Sequence, residues 1–589
     1  MIEPHHRQPG HRPAGFRQIT RLLPLVLTLA AALAILSVYL SRAAPSSKLR
    51  TQEILAASAQ QALQHEGQVG PSRTASQQQP QLQRPLDYVQ RYAELEGSSY
   101  PRECRDRYHG LPYFERVQAS WRQPVCAPQA GAALGSSLRC HHQWDQYPEM
   151  HCTGANLALE VACLAEDALL PQDSHAEQPD AFEAFERPGL DGELLGDCKL
   201  AEDSNRWQAS LFGKGGQAWL FRSFRSTLGD AQQPQCVAWV EHPVYFLNDK
   251  YDSLNLWHGL EDVTHAFEAY TLKGWGAEAQ VVVLDAVREQ NVLGPTYLPV
   301  WRKVFSPQHP PVTLRQLVAD ASAQAGGELM PGAALCFRDA FFSMHGGISI
   351  LSRSIRSTTP CANSTFISAM TRFTIDGLKL TDVHPASRGG SAAAAAPEAQ
   401  HAQEEEVALA QQMGGRLMLP GQRSDIAAAA AAAAQALASS GAPGKLRVVW
   451  ALRSSRAERQ KEILDLLRRE LPKQGVELSA IDLGRLPLEE QIRQARSANV
   501  LAGYHGAALT LACFMDPPAA LVEVEEEWRC ACYTNCARWK GLDYRLIKVP
   551  FVPERQLAAR VLGEIQAALW AVQQGIGGRS MSGVAAALE

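Results

Sequence analysis

The stretch LEEQIRQARSANVLAGYHGAALTLACFMDPPAALVEV, residues 488–524, decides the fold class of this chain. Residues 488–498 have the apolar spacing of an amphipathic helix, and 500–503 and 520–524 are short apolar runs typical of buried strands. Apolar strands that alternate with amphipathic helices form βαβ units around a parallel sheet. The alternation continues on both sides, with strand-like runs at 448–452, 476–483 and 543–549 and helical patterns at 457–471, 507–515 and from about 554. The chain is therefore predicted to be α/β, with a Rossmann-like domain at 443–552 and a C-terminal helix and tail at 553–589.

Upstream, composition separates one dense region from two low-complexity regions. Residues 88–382 carry most of the Trp, Tyr, Phe and Cys of the chain, and they predict a packed N-terminal α/β domain. Residues 383–442 mix an alanine run with acidic residues and are interpreted as an insertion or linker. Residues 42–87 are rich in Gln, Ser and Ala. That composition buries too little apolar surface to fold, and it predicts a disordered stem.

Residues 22–41, LLPLVLTLAAALAILSVYLS, form an uncharged apolar run between two arginines. Twenty helical residues extend about 30 Å, which matches the hydrocarbon core of a bilayer. The run predicts one transmembrane signal anchor in the lipid bilayer, Leu22 to Ser41, after a cytosolic tail at 1–21. The body of the chain is then lumenal, as in a single-pass type II protein. A cleaved signal peptide is the alternative, because Ala43 and Ala44 follow the run.

Charge and cysteine content restrict the partners and the compartment. The 589 residues have a formal net charge of −5 and no long basic stripe, so no nucleic-acid partner is expected. The 13 cysteines include Cys530, Cys532 and Cys536, which lack a second ligand pair at zinc spacing. Disulfides in an oxidising compartment are therefore expected, with at least one cysteine unpaired because the count is odd.

A glycine-bearing turn, Gly503-Tyr504-His505-Gly506-Ala507-Ala508-Leu509-Thr510, is predicted to join a strand to a helix. Glycines let the backbone approach a ligand, and the first amides of a helix attract phosphate, to which His505 would add a donor. A tight structural turn with a satisfied histidine explains the pattern equally well.

Charged side chains stand near the carboxyl ends of neighbouring predicted strands, where the ligands of open α/β sheets bind. Arg453 and Arg456 follow the first strand and would clamp a diphosphate through bidentate hydrogen bonds, unless they are surface charge. Glu523, near the end of the strand after the histidine turn, is placed to accept a hydrogen bond from a ribose hydroxyl.

The segment NLWHGLEDVTHAF, residues 255–267, carries a second pattern. On a helix its apolar residues share one face, while Asn255, His258 and Asp262 lie on a separate stripe at i, i+3 and i+7. An aligned carboxylate and imidazole can act as a general-base pair. Any amphipathic helix also has a solvated polar face, which is the alternative interpretation.

These segments together resemble glycosyltransferase family 61, and within it the plant-type β-1,2-xylosyltransferases that decorate the N-glycan core. The helical segment is similar to the NLxHxxxD block of that family, with Asn255, His258 and Asp262 in matching positions.

Three further segments resemble blocks of the same family. Cys336-Phe337-Arg338 is similar to its CFRHA segment, and WKGLDY, residues 539–544, is similar to WKGLEY. Residues 489–510 resemble the stretch that ends in GxHGAGLT, although Ala508 replaces the second glycine of that motif.

The resemblance implies a GT-B arrangement, in which two Rossmann-like domains face a cleft, with the nucleotide sugar on the C-terminal domain and the acceptor on the other. It implies inverting transfer, in which Asp262 removes the proton of the acceptor hydroxyl while His258 and Asn255 position it. The remaining roles are stabilisation of the leaving diphosphate by Arg453, His505 and the amides of Gly506 and Ala507, ribose binding by Glu523, and acceptor or phosphate binding by Arg338.

No Asp-x-Asp triplet, which commonly holds the divalent ion of metal-dependent nucleotide-sugar transferases, occurs in the sequence. Neither a metal nor another cofactor is therefore expected, and a UDP-sugar is the co-substrate. Asn363-Ser364-Thr365 is an N-glycosylation acceptor sequence, which is consistent with lumenal exposure.

Three functions remain open at this point. The first is a Golgi membrane enzyme that transfers xylose from UDP-xylose to a mannose of N-linked glycans. The second is a family 61 enzyme that transfers N-acetylglucosamine from UDP-GlcNAc to protein or O-glycan acceptors. The third, from a different class, is a catalytically silent Golgi glycan-binding protein. The joint presence of Asp262, His258, Arg453 and His505 speaks against the third.

Overall fold

The structure is a computed structural model, which describes residues 83–94, 102–104, 110–121, 124–143, 149–160, 194–201, 224–230, 233–247, 255–283, 296–324, 333–342, 349–351, 358–381, 445–527 and 530–575. All of these belong to one compact unit, Gln79–Glu589. The predicted anchor Leu22 to Ser41, the cytosolic tail and the insertion 383–442 lie outside the described residues. None of the helices within the described ranges is both long and apolar enough to cross a membrane.

The longer α-helices are α1 (Pro85–Glu94), α2 (Leu111–Ser120), α3 (Leu256–Lys273), α4 (Leu314–Gln324), α5 (Thr365–Gly377), α6 (Ala457–Glu470), α7 (Leu488–Arg496), α8 (Cys532–Lys540) and α9 (Glu554–Gln573). The strands are β1 (Cys126–Pro128), β2 (Ser137–Gln143), β3 (Glu149–Glu160), β4 (Leu194–Gly196), β5 (Cys198–Leu200), β6 (Phe224–Ser226), β7 (Gln235–Val240), β8 (Val244–Leu247), β9 (Gln280–Val283), β10 (Val312–Thr313), β11 (Ala333–Phe342), β12 (Arg447–Ala451), β13 (Glu477–Ile481), β14 (Val500–Tyr504), β15 (Ala520–Glu525) and β16 (Asp543–Lys548). A π-helical turn, Trp301–Phe305, and a 3₁₀ helix, Ala507–Phe514, complete the elements used below.

The C-terminal sheet is the parallel sheet that the alternating pattern predicts. Its five strands lie in the order β13-β12-β14-β15-β16, and all four pairings are parallel. Alternate residues of β12 enter different cores: Val448 packs with α6 and α9, and Val449 packs with α7, α8 and the 3₁₀ helix. A strand that is buried on both faces explains why these runs are continuously apolar. The α/β fold class is thus confirmed.

Helix α9 belongs to this sheet rather than to a separate tail. Its residues Val561, Ile565 and Leu569 are buried in the same core as Val448 and Val522. The boundary that the sequence placed between residues 552 and 553 therefore cuts through a continuous hydrophobic core.

The N-terminal sheet is mixed, which differs from the expectation of a second Rossmann-like domain. Strands β10, β9, β8, β11 and β7 pair in parallel, whereas β11, β3, β2, β1 and β5 pair antiparallel. Parallel strands need a crossover of a dozen or more residues, but only five residues separate β2 from β3. A connection this short permits only the antiparallel pairing.

Helix α1 revises the end of the predicted stem. It begins at Pro85, so the last three residues assigned to the stem at 42–87 are helical. Val89 is completely buried, and the hydroxyl of Tyr88 donates to Asp376 Oδ2 of α5 over 2.9 Å. These long-range contacts order a segment whose local composition predicts no core.

Disulfides, rather than zinc, account for the described cysteines. The pairs are Cys104–Cys361, Cys126–Cys198, Cys140–Cys152, Cys236–Cys336, Cys513–Cys536 and Cys530–Cys532. The expectation of disulfides at Cys530, Cys532 and Cys536 is confirmed. Disulfides of this kind persist in oxidising compartments.

A layer of helices joins the two sheets. Phe267 of α3 and Phe366 of α5 share one hydrophobic core with Leu509 and Phe514 of the 3₁₀ helix. This shared core fixes the start of α3 against the turn that follows β14, and it is in this region that the predicted site residues meet.

Candidate active site

The first half of the site lies at the carboxyl edge of the C-terminal sheet. The chain leaves β12 toward β13 on one side, and β14 lies on the other side of β12, so the order reverses between β12 and β14. Open α/β sheets bind ligands at such a switch point, outside the carboxyl ends of the strands. Arg453 follows β12 and His505 follows β14, which places both residues at this crevice.

His505 is held by a buried carboxylate on the neighbouring strand. Its Nδ1 lies 2.5 Å from Oε1 of Glu523, and the hydroxyl of Tyr544 donates to Oε2 of Glu523 over 2.7 Å. A carboxylate only accepts, so Nδ1 is the ring nitrogen that carries the proton and Nε2 is the other functional atom. Nε2 lies 3.9 Å from Sγ of Cys530. Burial raises the pKa of Tyr544, and the charge of Glu523 raises it further, so this hydroxyl stays protonated.

This arrangement gives Glu523 a role that the sequence did not predict. Glu523 is 2% exposed, and both of its oxygens take part in hydrogen bonds. The predicted contact with a ribose hydroxyl requires an accessible oxygen. Orientation of His505 is the role that fits the observed geometry.

A cleft of about 240 Å³, including open solvent, lies beside His505. Two arginines, Arg453 and Arg456, line it, and guanidinium groups suit a diphosphate. Arg453 donates from Nη1 to the carbonyl oxygen of His505, and Arg456 pairs with Glu526 over 2.9 Å. The residues that line the cleft are Arg453, Arg456, Tyr504, His505, Val524, Glu526 and Glu527.

Gly506 and Ala507 lie at the start of the 3₁₀ helix, as the sequence predicts. A Cβ at Gly506 would lie 3.2 Å from Nη1 of Arg453, so glycine permits the close approach of that guanidinium. Gly506 is the N-cap residue and Ala507 is the first helical residue. Amides at a helix start have no acceptor within the helix, which makes them donors for an anion.

The second half of the site is the first two turns of α3. Asn255 is the N-cap residue, and its Oδ1 accepts from the amide of Trp257 over 3.0 Å. Asn255 therefore begins the helix that carries the other residues of the motif, a structural role that an asparagine commonly has at this position. The predicted helix across this segment is confirmed.

His258 and Glu261 form a pair on this helix. Nδ1 of His258 lies 2.9 Å from Oε2 of Glu261, and the hydroxyl of Ser349 lies 3.4 Å from the other carboxylate oxygen. The side chain of His258 is 23% exposed, whereas that of Glu261 is 1% exposed. Burial raises the pKa of Glu261 to about 7, an effect that the hydrogen bond from His258 opposes. Glu261 was not singled out in the sequence, although its spacing of three residues from His258 predicts contact on a helix.

Asp262 lies deeper than the stripe predicted from the sequence. It is only 4% exposed, so the interpretation of a solvated polar face is wrong at this position. Tyr297 packs against the same turn: a Cβ at Gly259 would lie 2.3 Å from its ring, and its hydroxyl donates to the carbonyl oxygen of Leu256 over 2.8 Å. Burial raises the pKa of Tyr297, and the nearby charge of Asp262 raises it further.

Two aromatic rings connect the halves of the site. The ring of Trp257 on α3 contacts that of Tyr533 on α8, edge to face, with centroids 6.0 Å apart. Tyr533 in turn contacts the imidazole of His505, with centroids 4.8 Å apart. The start of α3 and the His505 turn are therefore neighbours. Tyr533 and Trp257 were missed in the sequence because their partners are distant along the chain.

Arg338 is not brought to this site. It pairs with Glu241 over 3.0 Å and stacks on Trp239, with its guanidinium carbon 3.6 Å from the ring centroid. Glu241 precedes β8, and the next residue of β11, Asp339, contacts Lys273 at the far end of α3. An 18-residue helix is about 27 Å long, so Arg338 is remote from His258. The predicted acceptor or phosphate contact does not fit this position.

Asn363, the predicted glycosylation acceptor, lies away from the cleft. Its side chain is exposed, and its backbone adopts a φ of 53° at the start of α5. Ser364 caps α5 by accepting from the amide of Ile367 over 3.2 Å.

One group of described residues has the geometry of metal ligands. His505, Glu523 and Glu525 each offer one ligand atom, and these atoms lie within 4.8 Å of one another. Glu523 and Glu525 are two residues apart on β15, so their side chains share one face of the strand. The Asp-x-Asp pattern considered in the sequence does not include this Glu-x-Glu pair. In the structure Glu523 binds the imidazole N–H and the Tyr544 hydroxyl, which is a complete hydrogen-bonded arrangement without an ion.

Part of the chain is similar to one known protein family. Residues 278–522 match the family model described as Glycosyltransferase 61, a range that includes Arg453 and His505 and begins after α3. None of the curated proteins matches.

Two solved structures are similar to this chain at low sequence identity. A crystal structure of a diflavin flavoprotein A3 from Nostoc sp. is 13% identical, with a TM-score of 0.17, over 22% of this chain and 95% of that chain. A metal-soaked flavodiiron core of Flv1 from Synechocystis sp. is 12% identical, with a TM-score of 0.18, over 77% of this chain and 99% of that chain. Residues 278–522 are thus similar to glycosyltransferase family 61, and this similarity supports a glycosyltransferase.

Proposed function

We propose that this protein is an inverting glycosyltransferase that transfers xylose from UDP-xylose to a mannose of N-linked glycans. The observation that carries the proposal is the position of the His505 turn, which faces a cleft with Arg453 and is joined through Tyr533 to the acid–base residues of α3. The family 61 match at residues 278–522 supports the transferase class. The choice of xylose rests on the resemblance of the sequence blocks to the plant-type enzymes.

On the donor side, the leaving group is a diphosphate that gains negative charge as the glycosidic bond to it breaks. Arg453 and His505 line the cleft where this charge would develop, and the amides of Gly506 and Ala507 lie at the start of the adjoining 3₁₀ helix. Nε2 of His505 donates to the diphosphate when both ring nitrogens carry a proton. Preorganised donors stabilise such charge without reorganisation during the reaction. The proposal needs no metal ion and no other cofactor, with the UDP-sugar as co-substrate.

On the acceptor side, a sugar hydroxyl attacks the anomeric carbon from the face opposite to the diphosphate. Its proton must leave as the new bond forms, and the acid–base residues nearest to the His505 turn are those of the first two turns of α3. We place the acceptor on the N-terminal part and the donor on the parallel sheet, as in a GT-B arrangement, with a mixed sheet in place of one of the two Rossmann-like domains.

We also propose a Golgi location, with the residues of the site in the lumen and Leu22 to Ser41 as a type II signal anchor. Six disulfides support an oxidising compartment. The apolar run of 20 residues supports a bilayer partner.

The test offers the detergent-solubilised full chain UDP-xylose and UDP-GlcNAc, each with N-glycan and peptide acceptors, and identifies the product by mass spectrometry. We expect xylose on a mannose-containing N-glycan. Transfer of N-acetylglucosamine to protein or O-glycan acceptors would select the second candidate, because related family members use that donor. Binding of glycan without turnover of either donor would select the silent glycan-binding protein. Arg453→Ala is expected to lose turnover, and Arg468→Ala, on an exposed side chain of α6 that pairs with Asp465 away from the cleft, is the matched control.

A further inference from the structure

Three acid–base side chains occupy the first two turns of α3, and they differ in access to solvent. The side chain of His258 is 23% exposed, while Glu261 and Asp262 are 1% and 4% exposed. A general base must come within hydrogen-bond reach of the hydroxyl that it deprotonates. His258 is the member of the three that presents surface to an acceptor.

The geometry of His258 is that of an oriented base. Its Nδ1 faces Oε2 of Glu261 at 2.9 Å, so the carboxylate holds the proton on Nδ1 and leaves Nε2 as the proton-accepting nitrogen. Ser349 lies against the other oxygen of Glu261 at 3.4 Å, which fixes the carboxylate from a segment outside the helix. A nucleophile or base that is oriented by a third group is the arrangement found in catalytic triads.

We propose that His258 is the general base of the transfer reaction and that Glu261 is its positioning residue; this inference rests on the proposed function. The acceptor hydroxyl forms a bond to the anomeric carbon, and the bond from that carbon to the diphosphate oxygen breaks with its electron pair. The hydroxyl proton moves to Nε2 of His258, which becomes an imidazolium beside Glu261. The proton then leaves to solvent from the exposed edge of the ring. His258 thereby takes the role of base that the family resemblance assigned to Asp262.

Asp262 and Tyr297 are the other ionisable groups near this pair, and their contacts differ from those of His258. Asp262 lies on the same turn and is buried toward Tyr297, which packs on Gly259. The hydroxyl of Tyr297 is bonded to the carbonyl oxygen of Leu256, and the raised pKa of this tyrosine keeps it neutral throughout the working range. Burial also raises the pKa of Glu261 to about 7, and the hydrogen bond with His258 opposes this increase.

The experiment measures kcat, KM and the pH profile of kcat for the full chain and its variants, with UDP affinity by calorimetry as a check on folding. His258→Ala should lower kcat by about 10²–10⁴-fold, the usual contribution of a general base. Added imidazole should restore part of this loss. UDP affinity should remain within about twofold of wild type, because the donor cleft does not include α3.

Glu261→Gln keeps the shape and a hydrogen-bond acceptor but removes the charge. We expect a loss in kcat and a shift of the acid limb of the pH profile to lower pH, because the imidazolium loses its anionic partner. Glu261→Asp should recover part of the activity. The matched control is Glu268→Gln, since Glu268 has the same spacing of three residues from His265 on the same helix, but His265, unlike His258, is buried. It should leave the acid limb unchanged.

Two outcomes would overturn the inference while the proposed function stands. One is an active wild type whose His258→Ala variant keeps its kcat while Asp262→Asn loses turnover. The other is a Glu261→Gln variant with the wild-type acid limb. A wild type that turns over neither donor, although it binds UDP, would instead overturn the proposed function, and the inference with it.

Discussion

Nδ1 of His505 lies 2.5 Å from Oε1 of Glu523, and this carboxylate is 2% exposed. The pair joins the ends of two neighbouring parallel strands, β14 and β15, at the edge where the diphosphate is proposed to bind. The buried carboxylate holds the imidazole so that one defined nitrogen faces the ligand. The chemistry of the donor half therefore depends on a residue that does not reach the cleft surface.

Glu523→Gln should lower both kcat/KM and UDP affinity. A hydrogen bond to a charged group contributes about 1.5–3 kcal/mol, so we expect a loss of about tenfold to more than a hundredfold. Tyr544→Phe removes only the second hydrogen bond of Glu523 and should cost much less. Steady-state kinetics and calorimetry with UDP measure both effects. Equal losses in the two variants would mean that the carboxylate acts through general packing rather than through His505.

Glu526→Gln should strengthen UDP binding. Glu526 lines the cleft and neutralises Arg456 at 2.9 Å, so it competes with an incoming diphosphate for that guanidinium. Partly exposed ion pairs are worth about 0–1 kcal/mol, which predicts a gain of up to about fivefold in affinity. The gain should shrink as salt rises from 50 to 300 mM, because salt screens the repulsion. An unchanged or weaker Kd at low salt would place the diphosphate elsewhere.

Transfer activity should persist in EDTA after exhaustive dialysis. The proposed donors to the leaving group are Arg453, His505 and backbone amides, none of which requires an ion. Glu525→Gln is the control, because Glu525 completes the group with metal-ligand geometry but not the His505–Glu523 pair. Loss of activity in EDTA that Mn²⁺ restores in wild type but not in Glu525→Gln would assign a metal to this group.

Gly541→Ala should destabilise the fold more than Gly274→Ala. Both glycines end a helix with positive φ, 67° and 65°, so each substitution carries the cost of that backbone conformation, about 1 kcal/mol. A Cβ at Gly541 would also lie 2.2 Å from Oδ1 of Asn363, whereas nothing lies within 4 Å of one at Gly274. Thermal unfolding of the two variants measures the difference. Equal melting temperatures would show that Asn363 moves aside without cost.

The stability of the fold should depend on pH through Glu261. Its pKa is about 7 in the folded state and near 4.5 when exposed, so the folded state binds the proton more tightly. The stabilisation is fully present below pH 4.5 and is lost as the pH rises through 7. The free energy of unfolding of wild type should therefore fall relative to that of Glu261→Gln, by at most about 1.4 kcal/mol per pH unit. Urea unfolding at pH 4.5, 6 and 7.5 checks this, and parallel curves for the two proteins would contradict it.

Local pattern was enough to predict the C-terminal domain. The strands β12, β14, β15 and β16 and the helices α6, α7 and α9 all lie within about two residues of the predicted ends. The apolar runs of β12, β14 and β15 are complete within each segment because these strands are buried on both faces, and the helices each bury one apolar face. Helix α8 was not predicted, since its sequence CYTNCARWK lacks a clear apolar stripe and its burial comes from neighbours.

The N-terminal part shows where local pattern fails. Aromatic and cysteine content predicted a packed domain there, but not its mixed sheet, whose pairing depends on the length of connections and on contacts between distant strands. Arg338 illustrates the same limit in the site, because a matching motif did not reveal that β11 carries it to the far end of α3.

By itself, the sequence determined that His258, Glu261 and Asp262 share the first two turns of one helix and that His505 follows a buried strand, because spacing on a helix and alternation around a sheet are local properties. Only the tertiary structure decided which of these groups meets solvent. Tyr297 packs on the turn that carries Asp262, and Ser349 contacts the carboxylate of Glu261. Tyr533 contacts both Trp257 of α3 and His505. All three residues come from segments distant in sequence. Burial and charge pairing depend on such distant neighbours, so the division of roles between base and positioning residue is a property of the folded chain.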